Sequence, residues 1–253
     1  PSQPLLHVPR PPIGNLLLSS CPGKKRQGQG QGQGQRPAVR RSVRADLARI
    51  RALGVGCVVC LLDDAELAFL GAPWEEYAQA AREVGVDVVR VPTPEGLGPL
   101  ALGSSAGEGG EEPTVAGLDA CLDAIIARYT RRSVPVLVHC RGGVGRAGVL
   151  AACWAIKLGL LGWLDPPTPC PTSPPRNKRK HSATFAFAFP EKPEDEKPRK
   201  RREEEESGVR IDTLRLVERA IALVRRRRSV KAVETYEQVR FLVEYVEYLR
   251  TKA

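Results

Sequence analysis

Five residues separate Cys140 from Arg146, and three of them are glycines, in the run His139-Cys140-Arg141-Gly142-Gly143-Val144-Gly145-Arg146-Ala147-Gly148. Glycine lets a backbone curl until successive N–H groups converge, which makes a nest for an oxyanion at the start of a following helix. Arg141, Gly142, Gly143, Val144, Gly145 and Arg146 are therefore the candidate phosphate-binding residues. A thiol at the mouth of such a nest is favoured as thiolate by the helix dipole and by the converging amides, which suits Cys140 to act as a nucleophile. Arg146 can hold two phosphate oxygens bidentately and favour a pentacoordinate transition state over the ground state. His139 is placed to brace the cysteine by hydrogen bonding. The chemistry is thiolate attack on phosphorus.

Two other readings fit parts of this stretch. Cys140 could be a small buried side chain in a glycine-rich turn, as most free cysteines are, but His, Cys, three glycines and Arg would then have to coincide at a catalytic spacing. The run Gly143-Val144-Gly145-Arg146-Ala147-Gly148 also matches a dinucleotide fingerprint, which calls for an acidic residue about 20 positions on, at the end of a second strand. The nearest candidate, Asp165, opens a proline-rich stretch instead.

The loop needs a strand before it and a helix after it. Val134–Val138 reads as a buried strand, and the apolar stretch from Val149 to Leu164 as a helix buried on all sides. Apolar runs at Val55–Leu62 and Val86–Val91 alternate with helical stretches, the pattern of an α/β protein with a largely parallel sheet flanked by helices. Near the C-terminal end, Leu214, Val217, Ile221 and Val224 recur at helical spacing. Val239, Leu242, Val243, Val246 and Leu249 do so again, with Thr235 and Gln238 as a capping box. Ordered structure on both sides of an interruption indicates one domain over 1–253, with a core of about 13–163 and 208–253.

The interruption is residues 165–207. Proline-rich from Pro166 to Pro175 and charged from Glu191 to Glu206, it cannot bury enough apolar area to offset its ordering entropy and reads as a disordered insertion. The Phe185, Phe187, Phe189 triplet is its one candidate for a short strand. The basic groups Lys178–Lys180 and Lys197–Arg202 read as a nuclear import signal or as solvated charge. Residues 27–35 alternate Gln and Gly, a low-complexity loop.

A chain of 253 residues, 42% hydrophobic, can bury one sizeable core. It opens at Pro1 and contains no methionine, so its start is expected to have been lost or processed. No apolar stretch reaches the ~20 residues that span a bilayer, and no basic-then-apolar leader opens the chain. A soluble, monomeric, cytoplasmic or nuclear protein is expected. Seven cysteines, an odd number, sit in apolar segments and suit a reducing compartment. Cys57 and Cys60 form a C-x-x-C in a strand, where that spacing turns the thiols to opposite faces. With no second pair and three histidines, zinc and dithiol chemistry are disfavoured. The net charge of +10 invites a nucleic-acid reading, yet only 5% of residues are aromatic and no stacking platform is interleaved with the charge, so specific nucleic-acid binding is not expected.

H-C-x-x-G-x-x-R is similar to the active-site signature of the cysteine-dependent phosphatases. Leu17 to Lys24, Leu53-Gly54-Val55 and the loop Pro92 to Pro99 resemble the cyclin-dependent-kinase-associated phosphatase family. The resemblance covers about Ile13 to Trp163 and, weakly, the last helices. It implies a protein-tyrosine or dual-specificity phosphatase that hydrolyses phosphotyrosine and phosphothreonine or phosphoserine through a cysteinyl-phosphate, with no metal or cofactor. It also implies a phosphoprotein substrate and a cyclin-dependent kinase as partner. The family's general acid, usually aspartate, falls at Glu95. Asp87, inside a strand, and Glu108, Glu111 and Glu112, in a glycine-rich loop, are poorer candidates. Ala147 stands where the family places Ser or Thr to help the cysteine leave. That departure keeps open a pseudophosphatase that binds phosphoproteins without turning them over. Val233 to Gln238 resembles a glutamine-bearing loop, with Glu234 in the glutamine's place. Arg90, Arg141 and the Arg225–Arg228 cluster are candidates for contact with an acidic partner.

Overall fold

The computed structural model describes residues 12–26, 39–95, 115–162 and 209–252. The Gln/Gly run 27–35, the insertion 165–207 with its Phe triplet and basic groups, and Glu108, Glu111 and Glu112 lie outside the described residues.

Four strands form a parallel sheet: β1 (Leu16–Ser20), β4 (Cys57–Cys60), β5 (Asp87–Arg90) and β6 (Val136–Cys140). Their spatial order is β1-β6-β4-β5, so the last of these four strands in chain order is inserted between two earlier ones. β6 pairs with β1 from Leu16↔Val136 to Ser20↔Cys140, and with β4 from Cys57↔Val136 to Cys60↔His139. Strands buried on both faces read as continuous apolar runs, which is why Cys57–Cys60 and Val136–Cys140 are legible as strands. Two short strands, β2 (Lys25–Arg26) and β3 (Val39–Arg40), pair antiparallel beside the sheet.

Helices flank the sheet. α1 (Val43–Ala52) packs on α3 (Trp74–Val84), and short α2 (Asp64–Phe69) lies between β4 and α3 in the chain. α4 (Val115–Arg128), α5 (Gly145–Lys157), α6 (Ile211–Arg227) and α7 (Tyr236–Lys252) form the other group, with α6 and α7 both against α5. Every residue of α5 from Arg146 to Ile156 is buried, as its apolar composition predicts. The ends of α4, α5 and α7 meet at Asp119, a wholly buried carboxylate. It accepts hydrogen bonds from Lys157, from Lys252 Nζ at 2.8 Å and from the Tyr245 hydroxyl at 3.0 Å. Burial alone would raise the pKa of Asp119. These donors outweigh it and hold the carboxyl below its ordinary range.

The buried face of α6 is Thr213, Leu216, Val217, Ala220 and Val224, so Leu214, expected on that face, is 39% exposed instead. Packing against α5 selects a stripe rotated by one position from the one that side-chain type alone suggests. The Thr235 cap holds in part: its Oγ1 accepts from Gln238 N at 3.3 Å, while the Gln238 side chain accepts from Glu234 N at 2.8 Å. Among the described residues no helix is long and apolar enough to cross a membrane, and no cluster of His, Cys, Asp and Glu could hold a metal ion.

Candidate active site

All four strands run parallel, so their C-terminal ends open on one side of the sheet, and the chain leaves each of them there. Such an edge, beside a strand inserted between earlier neighbours, is where open parallel sheets place their ligands. β6 delivers Cys140 there, β5 delivers the segment from Val91 to Glu95, and β4 delivers α2.

From Cys140 the chain turns back through Gly142 and Gly143 into α5. Gly143 has φ +71°, and a Cβ on it would sit 2.1 Å from Ser19 O, so no side chain fits where the loop crosses the end of β1. The turn aims the Gly143 N–H at Cys140 Sγ, 3.2 Å away. Cys140 itself is 4% exposed. The outer side of the loop is held as well. Arg228, which ends α6, donates from Nε to Gly143 O at 3.0 Å and from Nη2 to Gly142 O at 3.2 Å.

Arg146, in the first turn of α5, is 5% exposed. Its Nη1 donates to Glu66 Oε2 at 2.7 Å and to Thr93 O at 2.6 Å, and its Nη2 donates to Glu66 Oε1 at 2.7 Å. Burial by itself would lower the guanidinium's affinity for its proton. The Glu66 hydrogen bonds and charge outweigh burial and raise it, so Arg146 is a permanent cation. A guanidinium carries five N–H bonds. Three are taken here, and the two left, on Nε and Nη2, lie together along one edge of the planar fork.

His139 is wholly buried in β6, with Nε2 3.0 Å from the Tyr77 hydroxyl. Burial pushes the imidazole down to about 3, against a hydrogen bond with the Cys140 backbone and with the Arg146 charge adding to the fall, so the ring is neutral at ordinary pH. Its Nδ1 has no partner of full hydrogen-bond geometry among the described residues. His139 is thus held between the Tyr77 hydroxyl at Nε2 and the backbone of Cys140.

Glu95 reaches the site on the segment after β5. It pairs with Arg141 Nη1 at 3.3 Å through Oε1 and 3.2 Å through Oε2, both side chains being largely exposed. The Arg141 side chain, a candidate for contact with an acidic partner, meets Glu95 within the chain. Glu66, Glu95 and Arg141 line one cleft with Ala65, Leu70 and Phe69, the last 79% exposed. Arg90 leaves the candidate partner surface: it lies 4.3 Å over the Trp74 ring, pairs with Asp64 at 2.5 Å and donates to Leu62 O at 3.0 Å. Ala147 is fully buried in the first turn of α5.

Sequence reasoning missed Glu66, Thr93 and the hold of Arg228 on the loop carbonyls. Glu66 carries a weak local signal, an acidic side chain on a short helix after a strand. Thr93 acts through its carbonyl, which side-chain type does not reveal.

A parallel sheet with a Cys-to-Arg phosphate loop at the end of its inserted strand is the arrangement of the cysteine-dependent dual-specificity phosphatases, and the chain resembles them. The family model of the Swiss Army Knife protein, DSP-PTPase phosphatase domain, matches residues 108–201, a stretch that contains the Cys140–Gly148 loop. Among solved structures, the fold is similar to that of kinase associated phosphatase, solved with its catalytic-site cysteine changed to serine. Identity is 17% over 96% of this chain and 98% of that one, with a TM-score of 0.51. Further matches are Tk-PTP, at 21% identity over 89% and 97% of the two chains with a TM-score of 0.47, and PTPMT1, at 16% over 94% and 93% with a TM-score of 0.48. No curated protein sequence matches the chain.

Proposed function

We propose that the chain is a phosphatase of phosphoproteins, acting on phosphotyrosine and on phosphothreonine or phosphoserine in two steps. The Cys140 thiolate attacks phosphorus; an S–P bond forms as the bond from phosphorus to the substrate oxygen breaks, and Glu95 gives that oxygen its proton. Water then attacks the cysteinyl-phosphate, Glu95 takes a proton from it, and the S–P bond breaks to release phosphate and regenerate the thiolate. Arg146 and the amides of Gly142 to Gly145 hold the three equatorial oxygens throughout. A cyclin-dependent kinase is the partner that the family resemblance suggests, and a monomer in the cytoplasm or nucleus is the form we expect.

The observation that carries this reading is the state of Arg146: buried, charged, and clamped by Glu66 and Thr93 so that one N–H edge stays available beside Cys140. A buried guanidinium with a spare bidentate edge suits a phosphate dianion. The test is hydrolysis of para-nitrophenyl phosphate by the full chain. Cys140→Ser and Arg146→Ala should each lower kcat/KM by several orders of magnitude. Glu95→Gln should cost about 10²–10⁴-fold and flatten the basic limb of the pH profile. More than a tenth of the wild-type rate in Cys140→Ser would overturn the nucleophile assignment, and an unchanged basic limb would move the acid elsewhere.

A further inference from the structure

The turn from Arg225 to Lys231 places five cations in seven positions. Like charges so close repel, and the fold uses two of them. Arg225 donates to Ala232 O at 3.0 Å and Val233 O at 3.2 Å, which ties the turn to itself, and Arg228 holds the carbonyls of Gly142 and Gly143. Arg226, Arg227 and Lys231 are exposed, and their side chains have no hydrogen-bond or ion-pair partner among the described residues.

This surplus charge borders the phosphate loop. Besides the Arg228 contacts, a Cβ on Gly148 would lie 3.5 Å from Ala232 Cβ and from Val233 N, and one on Gly145 would lie 3.1 Å from Gln238 Nε2 and 3.7 Å from Glu234 Oε2. A free phosphate or a small aryl phosphate ends at Cys140 and Arg146. A phosphorylated peptide continues past them and must cross one of the walls. The α2 wall presents Phe69, and the α6–α7 wall presents the unpaired cations Arg226, Arg227 and Lys231, with the Glu234 carboxylate beside Gly145.

We propose that the turn joining α6 and α7 is a docking rim that recognises acidic residues flanking the phosphorylated residue of a protein substrate. Charge complementarity selects that occupant. An anionic membrane would engage the same cations, but docking into lipid draws on an apolar face, and that face of α6 is buried against α5. The exposed apolar side chains of the turn are Val230, 81% exposed, and Tyr236, 74% exposed. The inference rests on the phosphatase reading for where the phosphate sits, and its test separates the two.

The experiment measures binding of two phosphotyrosine peptides, one with Asp and Glu beside the phosphoresidue and one with Ala there, to the full chain carrying Cys140→Ser. The acidic peptide should bind about tenfold tighter, and the gap should close as salt rises and screens the exposed cations. Arg226→Glu, Arg227→Glu and Lys231→Glu together should abolish the gap, and the three Gln substitutions should reduce it. In the chain that keeps Cys140, the triple Glu variant should hydrolyse para-nitrophenyl phosphate within about twofold of wild type, since rim charges act on encounter with the extended substrate. Equal affinity for the two peptides, or a gap that survives the triple variant, overturns the rim. So does loss of binding to phosphatidylserine vesicles in the triple variant without any peptide preference, which would assign these cations to a membrane. A gap without turnover of para-nitrophenyl phosphate by the wild type would instead overturn the phosphatase reading and leave the rim standing.

Discussion

His139 is buried as a neutral ring against Tyr77, and that has a cost in acid. Its imidazole is pushed down to about 3 by burial, against an unfolded value near 6.5. The unfolded chain therefore takes up a proton that the folded chain refuses. Its contribution to stability is complete above pH 6.5 and is lost as pH falls from there toward 3, at up to about 1.4 kcal/mol per pH unit. Urea unfolding at pH 7 and pH 5 should show a drop of about 2 kcal/mol in the wild type, and His139→Asn should remove most of that drop. Asp119 is held below its ordinary range by Lys157, Lys252 and Tyr245 against the effect of burial. An equal drop in both proteins would show that other groups carry the pH dependence. At this scale Cys140, Arg146 and the glycines between them are readable in sequence because their chemistry is local. Glu66 is not, because it meets Arg146 from 80 positions away and no motif links the two.

The turn between α6 and α7 shows what an element adds to a loop. Gly142 O and Gly143 N–H belong to one peptide unit, so the hydrogen bond from Arg228 polarises the amide that points at Cys140 Sγ. Arg228→Ala removes two charge-assisted hydrogen bonds from a partly exposed site, about 1–2 kcal/mol after allowance for solvent. The expected result is a fall of about 5- to 30-fold in kcat/KM for an aryl phosphate, with Tm lowered by only about 2–8 °C, so that the variant stays folded. Arg228→Lys should restore little of it, because an ammonium cannot span both carbonyls as the fork does. An unchanged kcat/KM would show that the glycines hold the loop unaided. The helices themselves were legible from their apolar spacing. The exposure of Leu214 was not, because which stripe of α6 is buried depends on α5, whose surface periodicity within α6 does not encode.

For the molecule as a whole, α6 is tied to the end of α5 by Arg219 Nη1, which donates to Leu161 O at 3.3 Å, and by packing along both helices. These contacts do not involve residues 166–206. Replacing that segment by a short Gly/Ser linker should leave kcat/KM for para-nitrophenyl phosphate within about twofold, since loop length costs little free energy. A loss beyond tenfold would mean that the segment contributes to the site. The parallel sheet was readable from its apolar runs, while the strand order was not, because pairing partners are set by tertiary packing. That order also decides when the molecule becomes competent. Leu16 must wait for Val136 before β1 has its neighbour, and only then can Gly143 cross over Ser19. Pairing between such distant segments is slow, because chain closure must be paid before the contacts reward it. As the chain emerges during synthesis, the Cys140 thiol is made well before Arg228, the residue that braces its loop. The reactive sulfur thus spends an interval in an unfinished cradle, and recovery of activity after refolding should lag behind recovery of helix.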